Sequence, residues 1–206
     1  MFSYAHAAAP TWRECVSTCA ERLGRPGNGL GFLYFTDALV DHSSDILEEM
    51  RHRTGVDDWV GSVGVGVLAT GAEYQEEPAM AAMVADISGF SVFSGRKPLK
   101  ADASFAIVHA DPAAPDVAGL IADMSAKVSS GFVVGGLSSS RSRTVQIANA
   151  VLSGGLSGAA LPAEVAVATR LTQGCVPYPG RFRVTGCADN IIASLDGRPA
   201  LEVLKE

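Results

Sequence analysis

Charge is scarce in this sequence. Only 18% of the 206 residues are Asp, Glu, Lys or Arg, against about 25% in ordinary soluble domains. The balance is acidic, with a formal net charge of −6, so the basic footprint of a nucleic-acid binder is missing. Long apolar runs are missing too, since none approaches the ~18 residues a membrane span requires. Residues 1–10 have neither a basic n-region nor a long apolar h-region, so no secretory signal is read. Cysteine is limited to Cys15, Cys19, Cys175 and Cys187. There is no CxxC pair and no HxxxH, which excludes the common zinc frameworks. The cysteine density is also too low for a disulfide scaffold at this length. No metal or cofactor site is expected on these grounds. Apolar residues are abundant at 48%, and glycine is frequent, with 22 positions. The expectation is a glycine- and alanine-rich globular protein of the cytoplasm, in one large domain or two small ones.

Periodicity places the elements. Trp12, Cys15, Val16, Cys19, Ala20 and Leu23 recur at helical spacing, and Thr11 is a candidate cap with Gly24 and Pro26 as the stop. Cys15 and Cys19 on that face read as core residues. Leu30 to Thr36, LGFLYFT, reads as a buried strand. A helix follows from about Ser44 to Arg53, closed by Gly55. Trp59 to Leu68, WVGSVGVGVL, reads as two short strands with a tight turn, because Gly61, Gly64 and Gly66 interrupt it. Ala79 to Ile87 suits a strand after Pro78, although its Ala and Met content also suits a helix.

The order then recurs. SFAIVH at Ser104 to His109 is a strand, Asp116 to Val128 a helix, and Phe132 to Leu137, FVVGGL, a strand. Val145 to Leu152, Leu156 to Leu161 and Val165 to Leu171 are further strand candidates. YFTD matches IVHAD, and WVGSVGVG matches FVVGGLSS. The offset of about 75 residues exceeds solenoid repeats. The pattern predicts an α/β (mixed α+β) fold with largely buried mixed sheets and flanking helices. It would be built from two related strand–helix–strand–strand halves, residues 28–100 and 101–175. Arg181 to Ser194 adds one or two strands, Asp196-Gly197 a turn, and Pro199 onward a helix.

The glycine-rich segments are the main candidates for function. GSVGVG at 61–66 is neither GxxxxGK[ST] nor a GxGxxG opening a helix. Glycines there either permit close packing in a sheet or free backbone N–H groups to hold a carboxylate or other small anion. Gly135, Gly136, Ser138 and Ser139 follow the same logic, and Arg141 adds a guanidinium able to pair with a carboxylate. The alternative for that segment is a solvated turn. Asp37, Asp41 and His42 follow the first buried strand, where α/β sheets often bind ligands, but helix capping and solvation are the favoured reading. No GxSxG elbow is present. None of His6, His42, His52 and His109 has a motif partner. His52 is expected on a helix surface, and His109 as a core, turn or catalytic residue. Arg170, Gln173 and Gly174 end the last strand candidate, beside Cys175 in a loop that would expose its thiol.

Taken in order, several segments resemble the N-terminal domain of the FIST family, named for its association with intracellular signal transduction. They are GFLYFTD at 31–37, WVGSVGVGVL at 59–68, GAEY at 71–74, VGGLSSSR at 134–141 and RLTQGC at 170–175. DGRPALEVL at 196–204 is similar to the family's passage into a second, C-terminal FIST domain. The resemblance implies one N-terminal domain over 1–195 and the start of that next domain in 196–206. It also implies a sensory module for small molecules, with amino acids and their derivatives as ligands, found in bacterial signalling proteins and beside F-box segments in eukaryotes. One departure stands out. The family often has Gly-Cys-Ser or Gly-Cys-Thr where this chain has Gly61-Ser62-Val63, so that thiol is absent here.

The favoured reading is a non-enzymatic ligand-binding domain. Its candidate residues are Gly61, Ser62, Gly64, Gly135, Gly136, Ser138, Ser139, Arg141, Arg170, Gln173 and Gly174. An alternative is a hydrolase or transferase with Cys175, Thr172 or Ser139 as nucleophile, for which no base stands in register. A third is an interaction scaffold using Leu201 and Leu204 to meet a signalling partner or the C-terminal FIST domain.

Overall fold

A computed structural model describes residues 2–95, 99, 103–170, 172, 174–177 and 179–205. The chain forms two compact units, residues 1–166 and 167–206.

The first unit opens with β1 (Phe2–Ala8), α1 (Trp12–Leu23) and β2 (Leu30–Thr36). A 3-10 turn (Asp37–His42), α2 (Ser43–Thr54), β3 (Asp58–Gly64), β4 (Gly66–Ala69), β5 (Ala72–Gln75) and β6 (Ala79–Ala85) follow. Then come β7 (Ser91–Ser94), β8 (Ala103–Ala110), α3 (Val117–Lys127) and β9 (Phe132–Leu137). The unit ends with β10 (Gln146–Ala148), β11 (Val151–Leu152) and β12 (Leu156–Pro162).

Local chemistry sets the helix limits. Thr11 caps α1 as expected, its Oγ1 accepting from the Glu14 N–H at 3.3 Å. Asp116 caps α3 in the same way through the Gly119 N–H at 2.9 Å. Gly55 ends α2 in the left-handed region. The expected start near Ser44 is not capped by a side chain, because α2 continues directly from the 3-10 turn.

Two sheets stack face to face. One has the order β1-β6-β2-β3-β10-β11 and the other β7-β12-β8-β9. Neighbours pair antiparallel except β2 with β3 and β8 with β9. On β2 the alternation of a strand sends Leu33 and Phe35 toward α1 and α2. It sends Leu30, Phe32 and Tyr34 toward the second sheet. On β8, Ala106, Val108 and Ala110 face α3, while Phe105 and Ile107 meet the first sheet. The layers therefore run helix, sheet, sheet, helix, with cores on each side of each sheet. Among the described residues the β4–β5 hairpin pairs only with itself.

The two halves share a strand–helix–strand unit with a parallel pair. Their registers differ from the match of letters by one residue. Leu33 lies opposite Gly61 and Tyr34 opposite Ser62. Val108 lies opposite Gly135 and His109 opposite Gly136. Tyr34 thus corresponds to His109, not to Val108 as YFTD over IVHAD would have it. A one-residue offset exchanges the two faces of a strand, so facing rather than letter identity defines the repeat.

Three expectations change. Val145 to Leu152 is a hairpin of β10 and β11, turned at Asn149, which has φ +59°. Asn149 Oδ1 accepts from the Trp59 N–H at 2.8 Å, so the turn is bonded to β3. Val165 to Arg170 contains no strand, and Leu171 lies outside the described residues. Periodicity also missed β1, β5 and β7. The first is alanine-rich and takes its place through pairing with β6, and the other two span only four residues each.

The second unit carries β13 (Val184–Ala188), β14 (Ile191–Leu195), β15 (Arg198–Pro199) and α4 (Ala200–Leu204). The three strands form one antiparallel sheet in that order. Asp196 and Gly197, both at positive φ, make the expected turn.

Candidate functional site

The glycine-rich segments of the two halves meet. Ser62 Oγ and Ser138 Oγ are 2.7 Å apart and buried. The Ser139 N–H donates to Val63 O at 3.3 Å, and Ser139 Oγ accepts from the Val65 N–H at 3.2 Å. The segment after β9 is thereby bonded along the end of β3, at the C-terminal ends of both parallel pairs. A cavity of about 460 Å³ opens there, lined by Gly64 and Gly66 from one half and by Gly135, Gly136 and Ser139 from the other. Its inner wall is Tyr34, Ser62, Ile107 and His109, and Leu68 of β4 stands over it.

Tyr34 and His109 form a polar pair in the layer between the sheets, on the same face as buried Ser62, Gln146 and Ser157. Tyr34 Oη is 2.9 Å from His109 Nε2, and the rings meet edge to face at 5.5 Å. Burial pushes the His109 pKa down to about 4 and that of Tyr34 up to about 12, because both charged forms would lose hydration. At neutral pH both groups are uncharged. His109 Nδ1 is buried with no hydrogen-bond partner among the described residues. The network assigns the single ring proton to Nε2. Nε2–H then donates to Tyr34 Oη, Nδ1 keeps a bare lone pair, and no buried N–H is orphaned. The Tyr34 O–H is left free to donate into the cavity. His109 was read as core, turn or catalytic; it is a buried member of this pair. Tyr34 was not singled out. The available signal was its place on the inward-facing alternation of LGFLYFT, matched by His109 in ASFAIVHA.

Arg141 is already engaged. Its backbone N–H donates to Asp37 Oδ2 at 2.7 Å, and its Nε and Nη2 donate to the two carboxylate oxygens at 3.0 Å each. Nη1 reaches Glu76 Oε1 at 3.4 Å. Hydrogen bonds from Arg141 hold the Asp37 carboxyl below the usual carboxylate range. The guanidinium thus ties the segment after β9 to the end of β2, next to a recess bounded by Val65 and Gly66. Asp41 and His42 make looser surface contacts, with Arg143 at 3.6 Å and Asp45 at 3.6 Å.

Ser138 is buried behind the cavity. Arg170, Thr172, Gly174 and Cys175 are exposed in the second unit, and Gln173 lies outside the described residues. Cys15 and Cys19 are buried in the core beneath α1, where desolvation raises the Cys15 thiol and pushes Cys19 up to about 12. Among the described residues no group of three His, Cys, Asp or Glu side chains is placed to hold a metal ion. No described helix is long and apolar enough to cross a membrane.

Fold and site together define an α/β domain of stacked sheets, with one cleft built from corresponding loops of two related halves. A family model for the FIST N domain matches residues 29–198. The chain therefore belongs to the FIST N domain family, a family of signal-transduction sensory domains. Neither the curated proteins nor the solved structures contain a significant match to the chain.

Proposed function

We propose that the chain is a non-enzymatic sensory domain whose small-molecule ligand binds in the cleft between the two glycine-rich loops. The observation that carries this reading is the convergence of both loops on one cavity whose inner wall holds the Tyr34–His109 pair. The pair's own hydrogen bond offsets much of the cost of burying its polar atoms, and the cavity beside it leaves room for a further partner. Amino acids and related carboxylates are the ligand class the family resemblance suggests. In this cleft their carboxylate would accept from the hydroxyls of Tyr34, Ser62 and Ser139, with Gly136 leaving room beside the backbone. Arg141 would hold the loop in place through Asp37, not meet the ligand itself.

A thermal-shift and calorimetry screen of amino acids and small carboxylates tests the reading. A ligand at about 100 times its Kd adds about 2.7 kcal/mol to stability, so a binder at millimolar concentration is expected to raise Tm by several degrees. Ser62→Val with Ser139→Ala is expected to abolish that rise. A Tm unmoved across the whole set would overturn the reading.

A further inference from the structure

The cleft has a neighbour. A second cavity of about 490 Å³ lies between the inner faces of the two sheets, walled by Phe32 and Met83 of the first and Val134 of the second, and reaching Tyr4 of β1. Tyr34, Leu68 and Ile107 line both cavities, so the two adjoin at these side chains. The chemistry changes along this path. The loop end presents the hydroxyls of Tyr34, Ser62 and Ser139. The far end is nearly all hydrocarbon, with Thr70 at its border. Leu68 and Tyr4 remain 76% and 56% exposed at its mouth.

Charge narrows the choice further. None of the described residues lining either cavity is Asp, Glu, Lys or Arg. The hydroxyls, with the Tyr34 O–H turned outward by His109, can donate to an anionic oxygen, and such charge-assisted bonds are strong. An ammonium would find no carboxylate, and burying an unpaired cation is costly. We infer, on the reading that this cleft is the ligand site, that it takes a monocarboxylate with an apolar body and no ammonium group. The carboxylate sits at the Tyr34 and Ser139 hydroxyls, and the body lies along Phe32, Met83 and Val134. An amino-acid derivative lacking its free amine fits this description, whereas a polar zwitterion does not.

Three matched probes separate the contributions, using the full chain and calorimetry. 3-Phenylpropionate has both the body and the carboxylate, phenylalanine adds the ammonium, and propionate lacks the body. 3-Phenylpropionate is expected to bind at least about tenfold tighter than either of the others, a difference of about 1.4 kcal/mol. Val134→Trp, which fills the apolar cavity, is expected to abolish its binding; Val134→Phe serves if the larger residue prevents folding. Tyr34→Phe is expected to weaken it several-fold while the melting curve stays cooperative.

If phenylalanine or propionate binds as tightly, and Val134→Trp leaves that binding intact while Ser62→Val removes it, the inference falls and the ligand site at the loops stands. If 3-phenylpropionate binds but ignores both the Val134 and the Tyr34 variants, its site is elsewhere, and both fall. If none of the three binds at millimolar concentration, the inference falls, and the wider amino-acid and carboxylate screen decides the site separately. A dimer in light scattering that dissociates on Val134→Trp would assign the apolar cavity to a second copy of the chain and overturn the inference.

Discussion

His109 is a titratable group that the fold keeps neutral. Its folded pKa of about 4 lies below the ordinary value of 6.5. The unfolded chain therefore binds more protons in the window between them. The sign follows: the stability that neutral His109 allows is fully present above pH 6.5 and is lost as pH falls toward 4. The expected loss is on the order of 3 kcal/mol. Urea denaturation of the parent and of His109→Gln across this window checks it. The variant is expected to flatten the acid limb, and an unchanged limb would assign the acid sensitivity to other groups. At this scale the sequence was partly legible. Cys15 and Cys19 read correctly as core because their helical spacing determines which face they share. Tyr34 paired with His109 was not legible, because 75 positions of chain separate them and no local pattern records which strands will stack. Arg141 read as a ligand cation, yet its partner Asp37 stands 104 positions away, a contact only the loop path reveals.

At the scale of elements, the glycines fall into two kinds. A Cβ on Gly61 would lie 1.7 Å from Leu33 O, and one on Gly135 would lie 1.8 Å from Val108 O. These are corresponding positions in the two parallel pairs, so close approach of neighbouring strands, not loop freedom, requires glycine there. Gly136, one residue on, would meet nothing within 4 Å. Gly61→Ala is expected to destabilise by about 1–3 kcal/mol, as overpacking does. Gly136→Ala is expected to stay within about 0.5 kcal/mol of the parent. Denaturation midpoints for the two variants provide the comparison, and equal effects would contradict the assignment. Strand and helix identities were largely readable from periodicity, including β2, α1, α3 and the division of WVGSVGVGVL into β3 and β4. The failures were β1, whose alanines show no clear alternation, and residues 165–170, whose local strand propensity found no neighbour to pair with.

Over the whole chain, the stretch between β12 and β13 is where the two units part. Residues 163–170 carry no helix or strand, and Val167 and Val176 are 43% and 90% exposed. Exposed backbone of this kind is the preferred site of proteolytic nicking. Limited trypsin digestion is expected to cut first at Arg170 or Arg181 and to leave the first unit as a resistant fragment, identified by mass spectrometry. A first cut inside 12–162 would contradict the division of the chain into these units.

What the sequence determined by itself was local. The spacing of apolar residues set the strands and helices, the scarcity of charge called for a large buried interior, and the glycine-rich ends of the two related halves marked where the strands give way to loops. Only the tertiary structure decided that those loops border one cleft, that Tyr34 and His109 meet at its wall, that Arg141 pairs with Asp37, and that a second cavity, with no charged group among its described lining residues, adjoins the cleft between the sheets. The reason is that strand periodicity encodes which residues share a face, whereas the partner of that face depends on how two sheets stack, and this is set by contacts remote in the chain.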